Sequence, residues 1–172
     1  MKGDRPRSSL LLAGVLVSAV QACAPTATGN LACTAGAGLI LESQELPESS
    51  GVVWSRSDAG VFWTVNDGPD GTLFAFDTLG VEVARIATTG YELEDVEAMA
   101  AGPCGDQRCL YLADTGDNGE RRETVALHRV LEPNPVAGTE PVARTRFLIR
   151  YPDGPRDVEA LFVLPDGGLH LL

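Results

Sequence analysis

Phe62-Trp63-Thr64-Val65-Asn66-Asp67-Gly68-Pro69-Asp70-Gly71 aligns without gaps on Leu110-Tyr111-Leu112-Ala113-Asp114-Thr115-Gly116-Asp117-Asn118-Gly119, 48 positions later. In both copies a short apolar run stops at an amide or acid and passes into Gly, Asp and Asn, which reads as a buried strand followed by a tight turn. Working outward, Ser49-Ser50-Gly51-Val52-Val53 matches Asp95-Val96-Glu97-Ala98-Met99 at an offset of 46, so the intervening loop is expected to be two residues longer in the second copy. A third copy begins at Asp157-Val158-Glu159-Ala160-Leu161, 62 residues after Asp95. The additional length falls in Glu132 to Arg144, a Pro-rich stretch that reads as an inserted loop.

Each copy is expected to hold four short strands. The first places them at Gly51–Trp54, Val61–Val65, Thr72–Asp77 and Val81–Thr88; the second at Val96–Ala100, Leu110–Asp114, Thr124–Leu131 and Thr145–Tyr151. Alternation supports this: Phe74 and Phe76 share one face, while Phe147, Ile149 and Tyr151 oppose Arg146 and Arg150. Four-strand units repeating at this period are the blades of a β-propeller, a ring of about 4–8 such units around a channel. The expectation is an all-β, incomplete propeller of about two and a half blades over residues 46–172, cut inside the second strand of a third blade; a small β-sandwich would not account for the repeat. Trp54 and Trp63 are expected to pack between blades.

The start of the chain reads as an address. Lys2, Arg5 and Arg7 precede an apolar run from Leu10 to Val20, too short to span a bilayer comfortably, which together form a secretory signal peptide over residues 1–22. Val20-Gln21-Ala22-Cys23 resembles a bacterial lipobox, making Cys23 a lipidation site and residues 23–45 a tether; an ordinary signal peptide is the alternative. The expected location is the bacterial cell envelope, anchored to membrane, or else secreted. Export suits the cysteines: Cys104 and Cys109 flank a turn and are expected to form a disulfide. Cys33 is left without an assigned partner. Among 172 residues there are 24 acidic and 13 basic ones, a net charge of −11, and the only Lys is Lys2. Clustered cations for phosphate contacts are missing, which excludes nucleic acid as an expected partner.

Chemistry is sought in the repeated carboxylates. Asp95 and Glu97, like Asp157 and Glu159, are two apart and point to one face of a strand while Val96 and Val158 point to the other. Such groups gathered from successive units repel one another unless protons or a cation intervene. A hard ion such as calcium takes carboxylate and amide oxygens. The candidate metal ligands are Glu48, Glu97, Asp114, Asp117, Asn118 and Glu159; Asp95 and Glu97 are weak candidates for catalysis. Asn66 to Gly71 offers further oxygens of this kind, but its Asp and Asn also suit a turn in which they bond to their own backbone, and the same turn chemistry competes with a ligand role for Asp114, Asp117 and Asn118. No Gly-x-Ser-x-Gly elbow, His-Glu-x-x-His or phosphate loop is present. His128 reads as a packed strand residue.

Through Glu48-Ser49-Ser50-Gly51-Val52-Val53-Trp54, Asp95-Val96-Glu97-Ala98 and Asp114-Thr115-Gly116-Asp117-Asn118, the chain resembles bacterial secreted β-propellers related to the esterase-like phytase and SdiA-regulated propellers, and more distantly to gluconolactonase and regucalcin propellers. The resemblance covers about Leu46 to Leu172. It implies a calcium ion in the channel and directs attention to Glu48, Glu97 and Glu159. Two functions are then expected as alternatives: binding of a small molecule or protein at the channel face, or a calcium-dependent esterase, lactonase or phosphoesterase.

Overall fold

The computed structural model describes residues 14–17, 20–25, 31–35, 38–136 and 140–172. The basic start of the expected signal peptide, Lys2 to Arg7, and parts of the expected tether lie outside these residues. Among the described residues the protein is all-β, without a helix and hence without one long and apolar enough to cross a membrane. It divides into two units, residues 1–47 and 48–172.

In the first unit β1 (Gly14–Val17) pairs antiparallel with β4 (Leu39–Glu42), and β2 (Val20–Pro25) with β3 (Leu31–Ala35). The β2–β3 register sets Cys23 opposite Cys33.

The second unit opens with an antiparallel meander of β5 (Ser49–Trp54), β6 (Val61–Asn66), β7 (Leu73–Asp77) and β8 (Glu82–Ile86). After the short β9 (Thr88–Thr89), a second meander runs through β10 (Val96–Cys104), β11 (Gln107–Asp114), β12 (Val125–Leu131) and β13 (Val142–Ile149). A hairpin of β14 (Leu161–Val163) and β15 (Leu169–Leu171) follows. These elements fall where alternation and turn residues place them, to within a few residues at the ends. One feature was not expected: β9 pairs in parallel with β13, Thr88 opposite Val142, and so ties the end of the first meander to the outer strand of the second. β10 and β11 run on to a hairpin whose tip is Gly105-Asp106, with Gly105 at φ 68°, a conformation that favours glycine. Cys104 and Cys109 are disulfide-bonded across that tip, as expected.

The register corrects the internal alignment. Trp54 opposes Phe62 in the first meander and Ala101 opposes Leu110 in the second. The second strands are therefore 48 apart, as expected, but the first strands are 47 apart (101 − 54) rather than 46, and the loop is one residue longer rather than two. The same β-bulge, between Ser49 and Gly51, recurs between Val96 and Ala98. Glu48 thus corresponds to Asp95, and Ser50 to Glu97. In the last hairpin Leu161 opposes Leu171 as Met99 opposes Leu112, which keeps Asp157 and Glu159 equivalent to Asp95 and Glu97 at the offset of 62.

Two apolar layers hold this unit together. Trp63, Val65, Leu73, Ala75 and Ile86 from the first meander meet Val96, Met99, Leu110, Leu112 and Val130 from the second. On the other side of the second meander, Ala98, Ala100, Tyr111, Ala113 and Leu127 pack with Leu161 and Val163. Each fully buried large side chain contributes about 1.5–3 kcal/mol relative to exposure. The first strands β5, β10 and β14 pack in succession. A Cβ on Gly51 would lie 2.6 Å from the Met99 nitrogen, and one on Gly102 would lie 2.4 Å from Val163 Cγ1, so glycine is what permits this approach. Trp63 is fully buried and its indole N–H donates to Glu132 Oε1 at 3.2 Å. Trp54, expected to be packed, is 61% exposed and meets Phe62 edge-on, because it lies at the last β5 position on the face turned away from the inter-sheet core.

Candidate functional site

The site begins with the β10 bulge. Two residues of β10 stand against one ladder position of β11 between Val96 and Ala98, and Glu97 is the extra residue. A bulge bends its strand and re-aims the side chain it carries. Val96 and Ala98 point into apolar layers, whereas Asp95 and Glu97 remain partly accessible. Because β14 packs against β10, Asp157 and Glu159, which precede β14, come to the same place. Asp67, at the end of β6, arrives from the first meander; its N–H donates to the Glu48 carbonyl at 2.8 Å.

The result is two overlapping groups of carboxylates. Asp67, Asp95 and Glu97 each bring an oxygen within 4.8 Å of the others, and so do Glu97, Asp157 and Glu159. Glu97 belongs to both. Burial, the Asp67 carboxylate beside it and the field of Asp114 raise the Asp95 carboxyl from 3.8 to about 6, against a lowering influence of Arg122. Burial, then Glu159 and Asp95, raise Glu97 from 4.5 to about 7. Near neutral pH the cluster therefore retains protons that isolated carboxyls would have lost.

Asp114 stands behind this cluster in a different role. It is 3% exposed, and its Oδ1 accepts from the Asp95 N–H and Arg122 Nη2, both at 3.0 Å, while Oδ2 accepts from the Glu94 N–H at 3.2 Å. Burial opposes its charge, but the His128 imidazole 3.7 Å away, the Asp95 N–H and the Arg122 guanidinium more than offset that and hold its carboxyl below the ordinary value. His128 is itself fully buried in β12, as expected of a packed residue. Asp117 accepts from the Arg122 N–H at 2.7 Å and donates its own N–H to Asp157 Oδ1 at 2.8 Å.

Of the six candidate ligands, the structure brings Glu97 and Glu159 together and adds Asp95 beside them. Asp114 and Asp117 belong to neither group; the Asp114 carboxylate is spent on backbone N–H groups and the Arg122 guanidinium, and the Asp117 carboxylate on the Arg122 backbone N–H. Asn118 and Glu48 are exposed; Glu48 lies in neither group and contributes its carbonyl to the Asp67 N–H. Asp67 and Asp157 were not among the candidates. The signal for Asp157 was its identity with Asp95 in the third copy. For Asp67 the signal is its place in the oxygen-bearing stretch Asn66 to Gly71, where turn chemistry competes with a ligand role.

The donor set suits the calcium that the resemblance implies. All five groups offer hard carboxylate oxygens, and oxygens sharing one calcium at about 2.4 Å each can be at most about 4.8 Å apart. Asp67 Oδ1 is buried without a hydrogen-bond partner, an arrangement that costs free energy unless something else satisfies the charge. Gly116 gives the carboxylates their space: a Cβ there would stand 2.4 Å from Asp95 Cγ and 2.6 Å from Glu97 Oε1.

Comparison with protein-family models, with curated proteins and with solved structures finds no match to this chain.

Proposed function

We propose that this chain is an exported β-propeller-type protein whose clustered carboxylates bind a hard divalent cation, calcium, and through it a ligand or partner. The observation that carries the reading is the pair of carboxylate groups sharing Glu97, with an oxygen of Asp67 buried and unsatisfied. Asp67, Asp95, Glu97, Asp157 and Glu159 are the residues that would hold the ion. The propeller part is supported by the two meanders related by offsets of 47 and 48, and by the succession of first strands β5, β10 and β14 against one another. A lipid on Cys23 would hold the protein at the cell envelope, and the acidic surface makes nucleic acid an unsuitable partner.

A second reading is favoured by one observation, the carboxyls of Asp95 and Glu97 raised to about 6 and about 7. Groups of this strength exchange protons near neutral pH and suit general acid-base work. In a hydrolase of esters, lactones or phosphoesters, bound calcium would polarise the ester or phosphoryl oxygen. Whichever of Asp95 and Glu97 is left off the ion would take the proton from the attacking water.

Calorimetric titration of the full-length protein with calcium near pH 7.5, followed by ester and phosphoester assays, tests both. Saturable binding without turnover is the expected result. Calcium-stimulated turnover that disappears in Glu97→Gln would replace the binding reading with the enzymatic one. The absence of both binding and calcium-induced thermal stabilisation would defeat both.

A further inference from the structure

Arg122, in the loop between β11 and β12, sends its hydrogen bonds to the frame of the carboxylate cluster. Nη1 donates to the Gly116 carbonyl at 2.8 Å, Nη2 donates to Asp114 Oδ1 at 3.0 Å, and its backbone N–H donates to Asp117 Oδ2 at 2.7 Å. The side chain is only 15% exposed. Each partner in turn holds a piece of the cluster. Asp114 anchors the Glu94 and Asp95 N–H groups. The Gly116 N–H returns to the Asp95 carbonyl at 3.2 Å, and its missing side chain is the space the Asp95 and Glu97 carboxylates occupy. The Asp117 N–H fixes Asp157. The guanidinium thus meets the two residues that hold Asp95, Asp114 and Gly116, while the Arg122 backbone N–H meets Asp117, the residue that holds Asp157.

We propose that Arg122 is the positioning residue of the cation site: it braces the 114–117 loop and so presents Asp95 from one side and Asp157 from the other, without touching the cation. The inference rests on the cation-binding reading above. Geometry and charge predict opposite signs, which makes it decidable. As a mere neighbouring positive charge, Arg122 would repel a divalent cation, and its removal would tighten binding. As a brace, its removal loosens the carboxylates, and outer groups that orient metal ligands are typically worth about 10–100-fold in affinity. Lys keeps the charge but loses the planar fork that reaches Gly116 and Asp114 together.

The experiment is calcium calorimetry on full-length wild type, Arg122→Gln and Arg122→Lys, with amide hydrogen exchange read at Asp95 and Asp117. Both variants are expected to bind calcium about 10-fold more weakly or worse, and in both the Asp95 and Asp117 amides should exchange faster while those of β6 and β7 are unchanged. Tighter binding by Arg122→Gln, or wild-type affinity in Arg122→Lys, would overturn the proposal. Should the wild type bind no calcium, the cation reading fails by itself, and the brace is judged on exchange alone: unchanged Asp95 and Asp117 amides in Arg122→Lys would refute it.

Discussion

Glu97→Gln separates the two energetic roles of the cluster, because it should stabilise the protein without calcium and remove the stabilisation that calcium confers. Glu97 sits in both carboxylate groups, and its carboxyl is raised from 4.5 to about 7 by burial and by Glu159 and Asp95. At pH 7.5 it is mostly ionised at the expense of the folded state. At about 1.4 kcal/mol for each pH unit that displacement corresponds to roughly 3 kcal/mol at full strength. The cluster is open to water, and screening reduces this to about 1–2 kcal/mol. Gln keeps the shape and removes the charge, so melting of the variant in chelator should rise by about 4–8 °C, taking about 4 °C per kcal/mol for a unit of this size. With calcium at about 100 times its Kd, linkage should stabilise the wild type by about 2.7 kcal/mol and the variant by little. Differential scanning calorimetry of both proteins with chelator and with calcium reads all four values. A Glu97→Gln protein that melts lower in chelator, or that keeps the wild-type calcium shift, would refute the argument that repulsion at Glu97 is what a cation relieves.

The remaining predictions follow from the same geometry. Without calcium, stability should fall as pH rises from about 4.5 to about 7: with their carboxyls raised, Asp95 and Glu97 hold more protons in the folded than in the unfolded state across that window. Urea melts at a series of pH values check the sign, and a rise across the window would contradict it. Gly116→Ala drives a methyl into the Asp95 and Glu97 carboxylates; it should cost about 1–3 kcal/mol as an overpacking change and abolish calcium binding, read by denaturation and calorimetry. Glu132→Ala removes the acceptor of Trp63 Nε1, the Ser55 hydroxyl and the Arg56 N–H. It should destabilise by about 1–3 kcal/mol and leave calcium affinity unchanged. Cys23→Ser should move the protein from the membrane fraction to the soluble one, since a lipid chain is what would anchor it; mass spectrometry of the mature N-terminus gives an independent reading.

The strands were legible because each carries its own evidence: large aromatics two apart at Phe74 and Phe76, turn residues at Asp70-Gly71, and a copy of the β6 pattern 48 residues on. The error of one residue in the first-strand alignment has a physical origin. A bulge adds a residue without adding a side-chain signature, so Ser49-Ser50 can be laid on Asp95-Val96 or, as the ladder has it, on Val96-Glu97. That slip matters chemically: with the correct register the first meander offers Ser50 where the other two copies offer Glu97 and Glu159, and its carboxylate comes instead from Asp67 in a different strand. Local sequence could not reveal this, nor that Asp114, at the end of β11 before a loop dense with polar groups, is consumed by the Glu94, Asp95 and Arg122 donors. The first depends on which carboxylates remote segments bring together, and the second on which N–H donors then lie within 3.2 Å of a given oxygen. A carboxylate that accepts several N–H bonds has its charge already satisfied and serves the frame. A carboxylate facing others of its kind, with an oxygen buried and unsatisfied like Asp67 Oδ1, has charge left to offer. That difference, rather than the density of Asp and Asn along the chain, separates the brace from the site.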